Sequence, residues 1–357
     1  MKFVGFNKIK LIVLCTAVFG FIVFGIFRLS AYMTEQDVPY TGVAENFASD
    51  GGYTHIAVYF TPDTYADADT LKNLHHYVET ALNKDSIEAD PDNKNARLTA
   101  SAFIAHGSLS VSSPSANVTL PAMGVWGDFF LFHEQNLLSG NYFSDRDLNQ
   151  DYCLLDEEAA WKLYGSNDIA GKILYVGDTP LVVRGVFSQP DDKMCQAAGA
   201  IGQFCYVPYD FLVNHGMINK ISCYEIVMPN PVPNYAAQKL QKELGFEEDK
   251  VELVENTGRF DIIDSIKKVS ELKYRAMRTK ALVFPWWENV TRVLEERISV
   301  FNLISAIGLI YGAAVVLTLI VILFIQNKDI LAAYIVYFFE KIRDSIYRKR
   351  MNKRKQA

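Results

Sequence analysis

Two long apolar runs frame the chain. Leu11–Phe27 is 17 residues without a charge, and Val300–Ile325 is 26 residues interrupted only by Asn302, Ser305 and Thr318. A helix rises about 1.5 Å per residue and a bilayer core is about 30 Å thick, so each run is long enough to cross one. Between them the pattern changes. His55–Phe60 is a short, mostly apolar run of β-forming residues closed by Thr61-Pro62, and Tyr65–Asn83 then places Leu71, Leu74, Val78 and Leu82 at helical spacing. The same unit returns downstream: Tyr224–Met228 as strand, a Pro-rich turn, Tyr235–Leu244 as a helix stopped by Gly245, then Lys250–Val254 as strand.

The stretch separating these two units is mainly strands and turns. Strands are predicted at Leu98–Ala105, Gly107–Val111, Asn117–Val125, Cys153–Leu155, Lys172–Val176 and Leu181–Phe187. One helix interrupts them, Glu157–Tyr164, with Asp156 as N-cap and Gly165 as stop. The last element before the second apolar run starts at Phe284-Pro285-Trp286-Trp287 and continues through Val290, Val293, Leu294 and Ile298 with no breaker. Such a helix would carry movement of the outer domain rigidly into the bilayer. The tryptophans lie about 20 Å of helix before the run, so packing against the domain is expected ahead of an interfacial aromatic belt. The pattern as a whole predicts an α+β domain between two transmembrane helices.

Charge gives the orientation. Residues 1–30 carry four basic groups and no acid, residues 299–357 nine basic and three acidic, and residues 31–298 therefore 22 basic and 38 acidic. Basic residues lie outside both runs, Lys8 and Lys10 before the first and Lys341–Lys355 after the second. The positive-inside rule then puts both termini in the cytoplasm of a two-pass cell-membrane protein with a large extracytoplasmic domain. The acidic middle excludes a nucleic-acid partner, which would need Lys and Arg against phosphates. The first run also has the basic start and short core of a cleaved signal peptide, but Arg28 and Leu29 stand where a small-x-small site is needed, so an uncleaved anchor is expected. Ile330–Phe339 is too short to span; with the basic residues that follow it reads as a helix on the inner leaflet or as a disordered stop-transfer tail.

Candidate chemistry is sparse. Cys195 and Cys205 bracket a Gly/Ala-rich loop and are the candidate disulfide, whereas Cys153 and Cys223 read as small buried hydrophobes. Gly165 to Lys172 resembles a phosphate loop but has five residues between its glycines and Ile173 where Ser or Thr is needed, so it reads as a helix stop and turn. His75, His76 and Glu79 share a helix without the spacing or third ligand of a metal site. Asp191-Asp192 and Glu247-Glu248-Asp249 read as solvated charge at turns or helix ends. No catalytic residue, cofactor or metal is expected, and no enzyme. In the second run Ser305, Gly308 and Gly312 form a small-residue stripe with the Gly-x-x-x-Gly spacing that lets two helices approach closely, a first span or a second copy being the candidate partners.

One set of segments carries a resemblance. Gly127-Asp128-Phe129-Phe130-Leu131-Phe132-His133, Leu138-Ser139-Gly140-Asn141-Tyr142-Phe143-Ser144, Leu154-Leu155-Asp156-Glu157-Glu158-Ala159-Ala160-Trp161-Lys162-Leu163-Tyr164-Gly165, Asp168-Ile169-Ala170-Gly171-Lys172 and Val183-Arg184-Gly185-Val186 occur in that order. Together they resemble the extracytoplasmic core domain of MacB-like ABC transporter permeases. The resemblance implies a βαβ-type lobe from residues 53–90 and 220–262 and a β-rich inserted lobe, residues 95–215. The expected division is a cytoplasmic start 1–10, a span 11–30, the core domain 31–283, a stalk helix 284–299, a second span 300–325 and a tail 326–357. Family members have one span before this domain and three after it, and pair as dimers. The resemblance thus implies a permease-like component of an ABC transport system, with the lipid bilayer, a separate ATPase, other permease subunits and a second copy as partners. The third and fourth spans of the family pattern are not read here, so partner subunits are expected. The alternative is a two-span ligand-binding sensor or accessory protein.

Overall fold

The computed structural model describes residues 7–48, 52–64, 66–88, 97–200, 202–247, 249–276 and 284–355, with the side chains of 271–276, 331 and 344–355 excepted. Tyr65, Glu248 and the ends of the expected segments at residues 1–6, 89–96 and 277–283 lie outside the described residues. The elements are α1 (Lys8–Gln36), α2 (Val43–Phe47), β1 (Tyr53–Phe60), α3 (Ala68–Lys84), β2 (Ala100–Ser112), β3 (Asn117–Gly127), α4 (Phe129–Phe132), β4 (Asn136–Gly140), β5 (Tyr152–Asp156) and α5 (Glu157–Tyr164). They continue as β6 (Ile173–Val176), β7 (Thr179–Ser188), α6 (Lys193–Ala198), β8 (Cys205–Pro208), α7 (Tyr209–His215), β9 (Met217–Pro229), α8 (Tyr235–Leu244), β10 (Val251–Glu255), α9 (Ile262–Ala276) and α10 (Trp286–Lys355). Two compact units result: Glu35–Glu296, and Met1–Thr34 with Arg297–Ala357.

In the larger unit the strand order is β10-β1-β9-β2-β3-β8-β5-β7-β4, with β6 bridging β2 and β7. β1 pairs antiparallel with both β9 and β10, and β9 antiparallel with β2. β1-α3-β2 and β9-α8-β10 are therefore two interleaved split βαβ units. Helices α3 and α8 cover one face. Leu71, Leu74, Val78 and Leu82 of α3 and Ala236, Leu240 and Leu244 of α8 pack on Ile56, Val58, Phe103 and Ile226. The opposite face carries Ala57, Tyr59, Ala102, Ile104 and Val227 against Phe129, Phe132, Tyr206, Phe284 and Trp287. Covering on both faces is why β1 reads as a continuous apolar run instead of an alternating one.

Residues 117–216 extend the same sheet with their own core of Leu120, Cys153, Leu155, Leu163, Leu181 and Val183. Here α5 forms as its caps dictate: Asp156 accepts from Ala159 N at 3.0 Å, and Gly165 ends the helix at φ 69°, a backbone region that costs glycine little. The two strands expected at Leu98–Ala105 and Gly107–Val111 are one strand, β2, whose pairing with β9 shifts register on either side of Ala105. The sequence pattern predicts none of α2, α4, β4, α6, β8, α7 and α9. β8 is four residues long and pairs with β3, 83 residues away in the register Ala122↔Cys205 to Val125↔Pro208, so no local pattern announces it.

In the smaller unit α1 and the later turns of α10 pack antiparallel. Lys10 Nζ donates to Gln326 Oε1 at 2.6 Å and Arg28 Nη1 to Asn302 Oδ1 at 3.1 Å. Midway, backbones meet: a Cβ on Gly20 would lie 2.9 Å from the Gly308 carbonyl oxygen, and one on Gly308 would lie 2.8 Å from that of Gly20. Gly312 sits one turn on, where a Cβ would lie 3.2 Å from the Ala17 carbonyl oxygen. Ser305 is buried on the same helix, its hydroxyl donating to the Asn302 carbonyl at 2.8 Å.

Candidate functional site

The larger unit concentrates its buried charge where α10 begins. After β10 the chain turns through Asn256–Asp261 and delivers Arg259 to the first turns of α10. Glu288 and Glu295 are seven residues apart, two turns on one helix face, and the guanidinium lies between them. Its Nη1 and Nη2 donate to the two Glu288 oxygens at 2.9 and 3.0 Å. Nε and Nη2 donate to the two Glu295 oxygens, each at 3.1 Å, and Nη1 also reaches Asn256 Oδ1 at 3.0 Å. Every donor of the fork is used, in the paired geometry that makes arginine–carboxylate bonds strong.

Two further cations complete the cluster. Lys268, on α9, donates to Glu295 Oε1 at 2.5 Å and to the Arg259 carbonyl at 2.8 Å. Arg292 donates to Glu288 Oε1 at 2.7 Å and pairs with Glu252 on β10. Three cations thus meet three carboxylates with no net charge. Burial by itself would lower the Arg259 pKa, but Glu288 and Glu295 raise it above the ordinary arginine value. The cluster ties β10, the following turn and α9 to the helix that starts at Trp286.

Beside it lies a cavity of about 360 Å³, lined by Tyr40, His55, His133, Glu225, Arg259 and Glu288 among others. Glu225 is buried mid-strand on β9, 2.5 Å from His133 Nε2 and 3.6 Å from His55 Nε2. Burial works to raise its carboxyl pKa, yet attraction and hydrogen bonding from His133 and then His55 bring it well below the usual carboxylate range. The His133 ring lies 4.4 Å from that of Trp287, in the first turn of α10, tilted by 39°, and Tyr40 approaches it edge-on at 4.7 Å. Among the described residues no group of three His, Cys, Asp or Glu side chains is placed to hold a metal. Glu225 thus sits between two imidazoles, while His55 Nε2 and His133 Nδ1 have no hydrogen-bond partner among the described residues.

The residues singled out from sequence lie elsewhere. Cys195 and Cys205 are free thiols and the expected local bridge is not formed. Cys205 faces the core on β8, its Sγ 3.8 Å from the Pro121 carbonyl oxygen, while Cys195 sits on α6 within reach of its capping residue Asp192. Burial pushes both thiols up to about 12, with Asp192 adding to the shift at Cys195 and Asp156 at Cys205. His75 Nδ1 lies 3.1 Å from Ser101 Oγ on β2, and His76 is exposed. Asp192 is exposed at a helix end and caps α6, accepting from Met194 N at 2.8 Å. Arg259, Glu288 and Glu225 were not anticipated. The available signals were an acid at the centre of an otherwise apolar strand, Tyr224–Met228, and two glutamates seven apart on a helix.

The segment order 127–187, the split βαβ unit and two helices long and apolar enough to cross a membrane, Lys8–Gln36 and Trp286–Ile330, define a membrane protein with a large extracytoplasmic domain. Residues 21–227 match the family described as MacB-like periplasmic core domain, and the chain belongs to that family of ABC transporter permeases. It is 24% identical over 119 residues to the macrolide export ATP-binding/permease protein MacB of Pasteurella multocida, covering 30% of this chain and 18% of that protein. To the protein of the same name from Chromobacterium violaceum it is 32% identical over 79 residues, 22% of this chain and 12% of the relative. The chain thus matches under a fifth of the length of either curated relative. Among solved structures, the extracellular domain of the noncanonic ABC-type transporter YknZ from Gram-positive bacteria aligns with 14% identity and a TM-score of 0.37, over 56% of this chain and 99% of that one. The periplasmic region of MacB from Actinobacillus actinomycetemcomitans aligns with 16% identity and a TM-score of 0.37, over 63% and 98%.

Proposed function

We propose that the chain is a permease-like subunit of an ABC transport system, in which the outer domain acts on the membrane helices through α10 while a separate ATPase and other permease subunits supply the rest. One observation carries this reading: the start of α10 is held in the outer unit by a fully satisfied buried charge cluster around Arg259, and the same helix supplies the second apolar segment. A helix held only by surface contacts would slip or fray under load, whereas a buried pair resists because separating it leaves charges without partners. Both termini are cytoplasmic in this reading, as the basic flanks of the two segments favour. The domain division given above, with a stalk at 284–299 and a basic tail at 326–357, is part of the proposal.

Isolation of the full chain from its native membranes in lipid nanodiscs, followed by identification of bound proteins, tests it. Recovery of an ABC ATPase together with a multi-span permease is the expected result; recovery of a signalling kinase instead would replace this reading with that of a two-span sensor. Orientation is checked in intact cells with an impermeant thiol reagent. A cysteine at Ser113 should be labelled and one at Asn352 should not, and equal labelling of both contradicts the two-pass topology.

A further inference from the structure

The larger unit contains a second cavity, of about 630 Å³, away from the histidine–glutamate cluster. That volume falls within the range of small-molecule sites, roughly 300–1,000 Å³. Its walls are chiefly apolar, with Phe60, Met123, Phe204, Tyr206, Phe284 and Trp286 prominent. It lies where β2 and β9 lose register. The pairing jumps from Ile104↔Cys223 to Ala105↔Ile221 and again to Gly107↔Ile218, so His106 and Ser222 fall at irregular positions. Such bulges re-aim side chains, and they occur preferentially beside functional sites.

The side chains at this irregularity are polar and unsatisfied. His106 Nε2, Ser222 Oγ and, across the cavity lining, Gln189 Oε1 are buried and have no hydrogen-bond partner among the described residues. Leaving such a group unpaired is costly, and an apolar replacement at each position would avoid the cost. Burial lowers the His106 pKa from its ordinary 6.5, so the ring at neutral pH is an uncharged donor and acceptor. Among the described residues the one charged side chain in the lining, Lys220, already points its ammonium toward the Asp63 carbonyl oxygen at 3.5 Å. A charged guest would therefore have little to pair with, while an apolar body and a single polar group would be matched.

We infer that this cavity is a binding site for a small uncharged amphipath, an aromatic or aliphatic body bearing one hydroxyl, amide or arylamine group that hydrogen-bonds to His106 and Ser222. Phe284, Pro285 and Trp286 form part of the lining, immediately before and at the first residue of α10, so the guest touches the base of that helix. α6 meets the same helix at the edge of the cavity, where the Ala198 carbonyl accepts from Asn289 Nδ2 at 3.1 Å. The inference does not depend on an ATPase partner.

The test uses the full chain in phosphatidylcholine nanodiscs, titrated with the uncharged fluorophore N-phenyl-1-naphthylamine, with empty nanodiscs subtracted. One saturable site per chain is expected. Ala198→Trp, which fills the cavity from the partly exposed α6, should weaken binding at least tenfold, and His106→Leu or Ser222→Ala about three- to tenfold through loss of a hydrogen bond. Thermal unfolding of each variant reports whether it folds, and the conservative Ser222→Ala carries the test if Ala198→Trp does not. Absence of saturable binding above empty nanodiscs overturns the inference. So does saturable binding that the folded variants leave unchanged, which would place the probe elsewhere.

Discussion

The two units hold α10 in opposite ways. In the outer unit its first turns are fixed by charge: Glu288 and Glu295 receive four hydrogen bonds from Arg259, and Lys268 and Arg292 close the cluster. In the apolar unit it is fixed by the lack of side chains, with Gly308 and Gly312 laid against Gly20 and Ala17. The difference follows from the surroundings. A folded, water-exposed domain can desolvate a matched ion cluster as part of a larger core, and breaking it is costly because charges are stranded. Between apolar helices there is little hydrophobic force to gain, so contact depends on close backbone approach. The first device is specific and intolerant of single changes; the second depends on residue size at its middle, with the Lys10–Gln326 and Arg28–Asn302 hydrogen bonds at its ends.

The largest expected effect is at the ionic end. Arg259→Leu leaves three carboxylates facing only Lys268 and Arg292 in the cluster and should lower stability by about 3–5 kcal/mol, measured by thermal unfolding in nanodiscs. Replacing Arg259, Glu288 and Glu295 together with Leu, Gln and Leu should restore much of that loss. If the triple variant is no better than Arg259→Leu, the penalty is not one of stranded charge. At the glycine end, Gly308→Ile with Gly312→Ile should cost about 1–3 kcal/mol of helix contact through overpacking. The Phe27 and Phe301 rings lie 5.9 Å apart, so cysteines at these positions should be bridged by a short bismaleimide in the parent and not in the double variant. Retained bridging would show that the helices do not depend on glycine contact.

A smaller effect separates the units by pH. Groups whose folded pKa is lowered are protonated more readily in the unfolded chain, so they favour folding above the unfolded value and lose that contribution as pH falls. For His106, lowered by burial, the loss starts below about pH 6.5. For Glu225, lowered on balance despite its burial because His133 and His55 outweigh it, the loss starts below about pH 4.5. The melting temperature of the outer unit should therefore fall in two stages on acidification, His106→Leu flattening the upper one and Glu225→Gln the lower. A flat profile in the parent would contradict both assignments. The smallest change is Asp192→Ala, which removes the α6 N-cap and should cost about 1 kcal/mol.

How much of this was readable beforehand depended on sequence distance. α5 could be placed to the residue because Asp156 and Gly165 are adjacent to it, and α3 and α8 because their apolar faces repeat within one helix. Gly308 and Gly312 could be singled out from a spacing of four, but Gly20 could not, since one glycine in a span has no pattern. The sites missed are those assembled from afar: His133 and Glu225 are 92 residues apart, and Arg259 meets carboxylates 29 and 36 residues on. The Cys195–Cys205 bridge failed for a related reason. Nearness in sequence suggested a loop, whereas Cys205 lies on a strand whose side chain turns into the core and Cys195 on a short helix.

The central claim is that α10 is rooted in the outer unit by the Arg259 cluster. Hydrogen–deuterium exchange at the amides of residues 288–296, on the full chain in nanodiscs, tests it most directly. The account predicts protection comparable to strand β9 in the parent and its loss in Arg259→Gln, with residues 305–320 unaffected. Rapid exchange at residues 288–296 in the parent, or protection unchanged in Arg259→Gln, would contradict it.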